Sequence, residues 1–415
     1  MWHGINQCFP NTEKQLILRG RDFNLVSHVK LDELVTESEK WAVSVRQDLH
    51  QWPELGNEEC RTSERIKREL SILNIDYQEV LSTGVVGTIH KSAEKKTVAL
   101  RADMDALPIQ ETVLLPFASR RKGLMHACGH DVHMAVVLGT ARVLNEIKDE
   151  INGNVKFIFQ PAEETTGGAR RMMRRGCLSP RTDFILGLHV KPDLPAGTIG
   201  IKYGKVHASS DTFHITVKGK HSHGAYPEMG IDAIAAAAQI ICGAQSIVAR
   251  NVSPLNPAVI TFGSVHGGTA VNLIADTVIM EGTIRALDSF SREFLKIRLK
   301  EMAQSTAKAY GARAEVKFKK GYPVLTNDNI VVDAVRNAVI CETAIEKVVE
   351  LKEPTMGVED FSYYLEKVPG AFFFLGSGFK GRENDGIHSG GFEVDEKCIG
   401  IGIQLLVMSV LKLLE

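Results

Sequence analysis

The sequence lacks a strong excess of either charge, and it lacks a long uninterrupted apolar run. It contains 49 Lys and Arg against 50 Asp and Glu, so its net charge at pH 7 is -1. No dense stripe of Lys and Arg is present, which argues against a nucleic-acid surface. The longest apolar stretch, residues 231–248, is interrupted by Asp232 and Gln239 and falls short of a membrane-spanning helix. We therefore expect neither a nucleic-acid nor a membrane partner.

Little in the sequence indicates export or disulfide bonding. The N-terminus, MWHGINQCFPNTEK, lacks the basic flank and apolar run of a signal peptide. The seven cysteines are an odd and scattered set, which does not fit a disulfide framework. A reducing, cytoplasmic compartment is therefore expected. Internal repeats and low-complexity tracts are also lacking.

The length of 415 residues exceeds what one hydrophobic core usually organises, so two domains are expected. No element is predicted for residues 1–30. Two helices are predicted between Leu31 and Leu73, with a break at Trp52-Pro53. Short apolar strands then alternate with a helix, which is typical of a mixed, mostly parallel α/β sheet flanked by helices. The strands are predicted at residues 85–89, 97–102, 155–160 and 184–189, and the helix at residues 131–147.

The order of elements changes between residues 206 and 320. Strand, helix, two strands, helix and strand follow one another, which is the β-α-β-β-α-β order of a ferredoxin-like α+β domain. The α/β pattern resumes at Ile330, so the small domain is predicted to be inserted into the larger one. The predicted divisions are an N-terminal extension (1–30), a first part of the main domain (31–205), the inserted domain (206–320) and a second part of the main domain (321–415).

The stretch LMHACGHDVHMA places Cys128 and His130 two residues apart, directly before an apolar helix. A loop between a strand and a helix can direct both side chains into one cleft. Thiolate and imidazole are good ligands for Zn²⁺ and neighbouring transition metals. The alternative is a buried cysteine beside unrelated histidines. His126 and His133 are expected either to support the ligands or to lie on a helix surface.

Three further fragments carry ligand-type residues after apolar segments. Glu163 and Glu164 follow a strand in IFQPAEE, where one can bind a metal ion while the other handles a proton on metal-bound water. The alternative is an acidic first turn of the next helix. His189 ends the predicted strand FILGLH, where a histidine buried in the core is an equal alternative. His388 lies in the Gly-rich loop GIHSGG, a weak signal by itself.

The set of fragments is more informative than any one of them, because strand carboxyl ends in an open α/β sheet converge on one crevice. One cysteine, three histidines and two glutamates in such a crevice fit a hydrolytic centre with one or two metal ions. Asp103 and Asp105, in LRADMDALP, also follow a strand and can orient a ligand histidine. Turn formation before Pro108 is the alternative for this pair.

The sequence resembles the amidohydrolase branch of the aminoacylase and carboxypeptidase metallopeptidase family. That branch includes N-acyl-L-amino-acid amidohydrolases, hippurate hydrolases, plant indole-acetyl-amino-acid hydrolases and N-acetyldiaminopimelate deacetylases. The resemblance runs from about Val45 to Glu396, and HACGHD followed by PAEE is quite specific. The matching stretches are RQDLHQWPELGNEECRTSERI, LRADMDALPI, HACGHDVHMA, PAEE, the HV at His189, VKGKHSHGAYPEMGIDAI, GGTAVNLIADTVIMEGTIRALD, GVEDFSYYL and GIHSGGFEVDE.

The resemblance implies a metallo-exopeptidase-like catalytic domain that hydrolyses the amide bond of N-acyl amino acids with two divalent metal ions (Zn, Mn, Co or Ni). It implies Glu163 as the general base and His223 as the histidine that polarises the scissile carbonyl. Asn272 and Arg285 match positions near the substrate carboxylate. The inserted domain matches the family's lid and dimerisation domain, so a homodimer through the lid is expected. The metal ligands implied are Cys128, His130, Glu164, His189 and His388.

The sequence departs from the family pattern mainly in the lid. His221 and Ser222 stand where two glycines are usual, and Glu228 stands where a histidine is usual. Residues 389–391 are Ser-Gly-Gly where a proline is common, which can alter the loop of His388. Two other functions stay open, namely a dipeptidase or carboxypeptidase that uses the same centre and a metal-binding homologue that has lost catalysis.

Overall fold

The computed structural model of the protein describes residues 28–339 and 345–415, and it confirms the mixed α/β class. Most of the predicted N-terminal extension, residues 1–27, lies outside the described part. Helices alternate with strands along the main part of the chain. The described α-helices are α1 His28–Gln51, α2 Cys60–Ile72, α3 His130–Glu146, α4 Gly168–Arg174, α5 Ala233–Ser246, α6 Ser289–Ala309, α7 Asn329–Val339, α8 Ser362–Leu365 and α9 Lys397–Leu414.

The strands form one large sheet, one four-stranded sheet and two short two-stranded pairs. The described strands are β1 Asp76–Val80, β2 Gly84–Ile89, β3 Thr97–Asp103, β4 Asn154–Gln160, β5 Phe184–Pro195, β6 Thr198–Ile201, β7 Lys205–His207, β8 Ser209–Lys218, β9 Ser222–His223, β10 Ala258–Gly267, β11 Leu273–Ile274, β12 Thr277–Ala286, β13 Arg313–Lys320, β14 Leu325–Thr326, β15 Lys347–Glu350 and β16 Gly370–Gly378.

The large sheet has eight strands in the order β1-β2-β4-β3-β5-β16-β6-β15. Its central strands β4, β3, β5 and β16 are parallel to one another, whereas β1, β2 and β6 add antiparallel pairs. Strands β3, β4 and β16 are buried along their whole length, as expected for a parallel sheet that is covered on both faces. This arrangement places the carboxyl ends of four parallel strands along one edge of the sheet.

Residues 209–320, which we call the inserted unit, form a separate four-stranded antiparallel sheet with its own core. The strand order is β10-β12-β8-β13, which is the ferredoxin-like arrangement. Helices α5 and α6 cover one face of this sheet, and side chains such as Phe213, Ile240 and Leu299 fill the space between the layers. The opposite face carries polar residues, because the strands alternate between buried and exposed positions.

Two described helices are long and apolar enough to cross a membrane by length and composition, Ala233–Asn251 and Lys397–Leu414. The first covers most of residues 231–248, which we expect from the sequence to fall short of a membrane-spanning helix. By length and composition that expectation is wrong. In Lys397–Leu414, 72% of the apolar window is buried inside the protein, in the same core as α1, α3 and α7. Ala233–Asn251 packs its small residues on the inserted sheet, with 33% of its window buried. Core helices of folded domains pass the same test, so the finding is weak evidence for a membrane.

A buried ion-pair network joins α1 to the start of α3. The Arg46 guanidinium is 2% exposed and donates through Nε to Asp131 Oδ2 at 2.7 Å. His50 Nδ1 lies 2.8 Å from the same oxygen. Burial opposes ionisation of Asp131, but the charges of Arg46 and His50 hold its pKa far below the usual range. The network therefore fixes the start of α3, the helix that begins two residues after Cys128.

Removal of Arg46 is expected to destabilise the fold strongly. Arg46→Met leaves the Asp131 carboxylate buried without its main partner, so the free energy of unfolding should fall by about 3–5 kcal/mol. Urea denaturation measures this change, and Arg298→Met, at an exposed pair with Glu301, should cost less than about 1 kcal/mol. Because the pKa of Asp131 is depressed in the folded state, the ionised carboxylate stabilises the fold fully above about pH 4. This stabilisation is lost as the pH falls toward the folded-state pKa. Equal losses in the two variants would contradict the role of the network.

Candidate metal centre

Cys128 and His130 lie at the N-terminus of α3, on either side of a glycine with a left-handed backbone. Gly129 has φ 83°, a conformation that L side chains rarely adopt. A Cβ at this position would lie 2.4 Å from Val190 Cγ2 on β5. Glycine therefore allows the chain to pass against β5 and to direct both flanking side chains toward the strand ends.

Glu163 and Glu164 lie in the loop after β4, whose backbone is held by side chains from other loops. The Asp105 carboxylate accepts hydrogen bonds from the N–H groups of Glu163 and Glu164, at 3.1 and 3.0 Å. The Ala162 N–H donates to Glu59 at 2.8 Å, and Ala162 has φ 59°, which is uncommon for a residue with a Cβ. These contacts hold both glutamates in a loop of unusual conformation rather than in a helical turn.

His189 and His388 come from β5 and from the loop after β16. The sequence predicts that His189 ends its strand, but β5 continues to Pro195 because its pairing with β16 persists beyond the histidine. His388 has φ 62°, and its N–H donates to Ala127 O at 2.8 Å. The loop of His388 is thereby tied to the loop that carries Cys128.

The structure brings the five ligand candidates to one place. Cys128 Sγ lies 3.3 Å from His189 Nε2 and 3.3 Å from His388 Nε2. His388 Nε2 lies 3.0 Å from Glu164 Oε1. The potential ligand atoms of three overlapping groups each lie within 4.8 Å of one another. These groups are Cys128, His130 and His189; Cys128, Glu164 and His388; and His130, Glu163 and Glu164.

The hydrogen bonds of the histidines leave the correct nitrogen free for a metal ion. His130 Nδ1 lies 2.8 Å from Asp105 O, and His189 Nδ1 lies 2.8 Å from Val190 O. Since a carbonyl can only accept, both rings carry a proton on Nδ1, so each ring in its neutral, metal-binding form has its lone pair on Nε2. His130 Nε2 is buried and has no hydrogen-bond partner in the described part. The donor set therefore fits a metal ion.

Charges at the cluster also favour a cation. Burial, followed by the charges of Glu164 and Glu163, raises the pKa of the Cys128 thiol well above its usual value. Burial lowers the pKa of His130, but the neighbouring Asp103 outweighs it and raises the pKa to about 10. A buried thiolate beside carboxylates needs positive charge for its stability, and a bound metal ion supplies that charge.

Further buried residues are hydrogen-bonded to the strand that carries the ligand His189. Asp103 Oδ1 lies 2.6 Å from His133 Nδ1, and His133 Nε2 accepts from the Val190 N–H at 3.0 Å. A series of hydrogen bonds therefore runs from Asp103 through His133 to β5, the strand that carries His189. His126 is also buried, and burial lowers its pKa to about 3. The helix-surface alternative is wrong for His126 and His133, because the two side chains are 1% and 0% exposed.

Glu163 has charged neighbours that sequence reasoning did not identify. The ligand atoms of Glu163, Glu359 and Asp360 lie within 4.8 Å of one another. Arg101, 1% exposed, donates to Glu359 at 3.0 Å and to Asp360 at 2.9 Å. Burial, followed by the charges of Glu359 and Asp360, raises the pKa of Glu163 well above its usual value. Glu359 and Asp360 lie in the stretch GVEDF, which matches the family, but nothing in the sequence indicates that they contact Glu163.

The inserted unit carries the predicted substrate residues. His223 pairs with Leu273 across the β9–β11 ladder, and Gly224 N–H donates to Asn272 O at 2.7 Å, so His223 and Asn272 are neighbours. Arg285 lies on β12 opposite Ser210. No hydrogen bond or ion pair within residues 28–339 and 345–415 joins His223, Asn272 or Arg285 to the metal ligands. In the described part, the contacts of these three residues are therefore made within the inserted unit.

A thiol, three imidazoles and two carboxylates, gathered beside the carboxyl end of β4 and the strand β5, define a metal-dependent hydrolase of the α/β class. Comparisons with known proteins agree. Residues 99–412 match the model of peptidase family M20/M25/M40. The chain is 41% identical to the N-acetyl-L-cysteine deacetylase of Bacillus subtilis, over 100% of this chain and 97% of that protein. The chain belongs to the M20/M25/M40 family, which confirms the resemblance.

Two further relatives bear on the chemistry. Thermostable carboxypeptidase 1 of Saccharolobus solfataricus is 41% identical, over 91% of this chain and 96% of that protein. A crystal structure described as a dinuclear metal binding peptidase, from Bacillus subtilis, is 38% identical with a TM-score of 0.79. That alignment covers 91% of this chain and 99% of the other. The similarity therefore extends over both the large sheet and the inserted unit.

Proposed function

We propose that the protein hydrolyses the amide bond of N-acyl amino acids, such as N-acetyl or aromatic-acyl derivatives, to a carboxylate and a free amino acid. The observation that carries this proposal is the convergence of Cys128, Glu164 and three histidines beside the buried carboxyl group of Glu163. Similarity to an N-acetyl-L-cysteine deacetylase at 41% identity supports the acyl-amino-acid class.

The centre is proposed to hold two divalent ions, and its donors suit Zn, Mn, Co or Ni. The name of the related Bacillus subtilis structure, a dinuclear metal binding peptidase, supports the number of ions. When bound, the ions supply a water of lowered pKa and positive charge near the developing oxyanion. The ligands proposed are Cys128, His130, Glu164, His189 and His388. Asp103 and Asp105 are proposed to orient them and the carboxylate loop.

Glu163 is proposed as the general base. Glu163 is 8% exposed, and its carboxyl group lies in one ligand-distance group with His130 and Glu164. With a cation bound beside it, its carboxyl group ionises despite the raised pKa, takes the proton of the attacking water and later returns that proton to the leaving amine. Cys128 is proposed to act as a ligand and not as a nucleophile, because its sulfur lies within ligand distance of three histidines and Glu164 and its raised pKa disfavours a free thiolate.

His223 is proposed to donate a hydrogen bond to the scissile carbonyl when the inserted unit closes over the substrate as a lid. The Ala225 N–H donates to His223 Nδ1 at 3.1 Å, so Nδ1 is the acceptor and Nε2 carries the proton. An exposed imidazole with a proton on Nε2 is a suitable donor to an oxyanion. Asn272, beside His223, and Arg285 are proposed to bind the substrate carboxylate.

We expect His223→Ala to lower kcat by about 10²-fold, since one oxyanion donor is lost, while the metal content stays unchanged. Steady-state kinetics and metal analysis measure the two quantities. His214→Ala, which changes a histidine on the polar face of β8, serves as the matched control and should retain activity. Unchanged kinetics in His223→Ala would show that this histidine has only a structural role.

The inserted unit is also proposed to form a homodimer. One edge strand of its sheet, β13, carries four Lys and Arg residues (RAEVKFKK), and charged edges of this kind oppose strand pairing. The other edge strand, β10 (AVITFGSVHG), has no Lys or Arg and ends near the half-exposed Ile234 of α5. A second copy can therefore extend the sheet along β10.

A cytoplasmic location is proposed from the free cysteines among the described residues.

A dipeptidase or carboxypeptidase function is the second candidate, and the 41% identity to thermostable carboxypeptidase 1 favours it over an inactive metal-binding homologue. Measurement of released amine from N-acyl amino acids and from matched dipeptides separates the two enzyme functions. The proposal predicts a higher kcat/KM for the N-acyl compounds. A preference for the dipeptides would replace it with the second candidate.

Three residues beside His223 depart from the family pattern, namely His221, Ser222 and Glu228. We expect these residues to determine the acyl-group preference.

A further inference from the structure

Two linkers connect the large sheet to the inserted unit, and they are hydrogen-bonded to each other. The first leads through β7 into β8, and the second leads from β13 through Gly321 and Tyr322 to β14. The Tyr322 N–H donates to Ser210 Oγ at 3.1 Å, and the Ser210 N–H donates to Tyr322 O at 2.9 Å. The backbone of Tyr322 is therefore fixed to the first strand of the inserted unit.

A buried ion pair strengthens this junction. Arg292 of α6 donates through Nε and Nη2 to the Asp211 carboxylate, at 2.7 and 2.6 Å. Arg292 Nη2 also donates to Gly321 O at 3.1 Å, and the Gly321 N–H donates to Asp211 Oδ1 at 3.1 Å. Paired charge-assisted hydrogen bonds of this kind are strong and geometrically specific. The position of Tyr322 is consequently determined by the inserted unit.

The side chain of Tyr322 reaches in the opposite direction, onto the loop of the proposed base. Its hydroxyl donates to Glu163 O at 2.9 Å. Its ring packs on Gly167, where a Cβ would lie 2.9 Å from the ring carbon Cε1, and Gly167 has φ 71°. Burial, together with nearby charges led by Asp360, raises the pKa of the Tyr322 hydroxyl, so the hydroxyl stays protonated and can donate.

The loop that receives this hydrogen bond is otherwise held from the large domain. Asp105 accepts from two consecutive N–H groups of the loop, and Glu59 accepts from the Ala162 N–H. Ala162 occupies the left-handed region, a conformation that persists only where the surrounding structure enforces it. Tyr322 adds a contact to the carbonyl side of the Glu163 residue. The orientation of the catalytic loop thus depends on contacts from both parts of the protein.

We propose that Tyr322 is a positioning residue, which orients the Glu163 residue according to the position of the inserted unit. This inference rests on the proposed function, in which Glu163 is the general base. A hydroxyl that holds the peptide of a catalytic group affects the chemical step more than substrate binding, since small misplacements of such a group reduce the rate. The expected signature is a loss in kcat with an unchanged KM.

Tyr322→Phe tests the proposal, and the chain offers a matched control in Tyr363→Phe. The Tyr363 hydroxyl donates to Gly321 O at 3.0 Å, so both variants remove a phenolic donor to a backbone carbonyl at the same junction. Only the first of the two removed bonds reaches the loop of Glu163. Phenylalanine keeps the ring that packs on Gly167, and the fold is expected to be retained, as a melting curve will show.

We expect Tyr322→Phe to lower kcat by about tenfold, with KM, metal content and melting temperature close to those of the wild type. Tyr363→Phe should retain kcat within about twofold. Wild-type kcat in Tyr322→Phe, an equal loss in both variants, or loss of metal from Tyr322→Phe would overturn the proposal. Failure of the proposed function looks different, because Glu163→Gln would then turn over normally whatever Tyr322→Phe does.

Discussion

Glu163→Gln is expected to retain its metal ions and to lose turnover by about 10³-fold, because an amide cannot take the proton of the attacking water. The substitution keeps the size of the side chain and leaves its backbone hydrogen bonds to Asp105 and Tyr322 in place. Metal analysis and steady-state kinetics on the same preparation measure the two quantities. Both are needed, because loss of metal would give the same drop in rate.

The matched control for this experiment is Glu39→Gln. Glu39 is a partly buried glutamate in α1, and burial raises its pKa, as it does for Glu163. Its carboxylate faces Gly400 of α9, away from the ligands, so full activity is expected. Near-normal turnover in Glu163→Gln would remove Glu163 from the role of base. Loss of metal in this variant would instead place Glu163 among the ligands.

Cys128→Ala is expected to lose most of its bound metal and, with it, most of its activity. Cys128 Sγ lies 3.3 Å from the Nε2 atoms of both His189 and His388, so the sulfur is shared by two groups of potential ligand atoms. Because a thiolate ligand neutralises positive charge and fixes the position of the ion, its loss weakens binding at neutral pH. Metal content after dialysis against limiting free metal measures the effect.

Cys398→Ala separates this result from a general effect of losing a buried thiol. Cys398 is 0% exposed and lies in α9 among core side chains. Its removal should cost some stability, as for any small core cavity, but it should leave the metal content unchanged. Full metal occupancy and normal activity in Cys128→Ala would rule out Cys128 as a ligand.

Residue spacing and strand-end position led from the sequence to the fold class and to a plausible ligand set. The α/β class followed from strands that alternate with helices, and the structure confirms it. The group Cys128, Glu164 and His388 could be proposed because each residue follows an apolar segment, and such segments end at one edge of a parallel sheet. The family resemblance then distinguished Glu163 from its neighbour Glu164, which spacing alone cannot do.

Contacts between distant parts of the chain could not be derived in this way. Arg101 and Asp360 meet beneath Glu163, although 259 residues separate them in the sequence. Tyr322 reaches the Glu163 loop only because the second linker folds back against Ser210. The local pattern predicts His189 at the end of a strand, but pairing with β16 extends that strand to Pro195. Each of these features depends on tertiary pairing, for which the local pattern carries no signal.

The central claim is that this cluster is a dinuclear metal centre that hydrolyses N-acyl amino acids. The most direct test removes metal from the wild-type protein with a chelator and then adds Zn²⁺, Mn²⁺, Co²⁺ or Ni²⁺ in steps, with measurement of bound metal and of amine released from an N-acetyl amino acid. We expect no activity in the chelated protein and a maximum at about two bound ions per chain. Full activity in the metal-free protein, or a maximum that needs no more than one ion, would contradict the account.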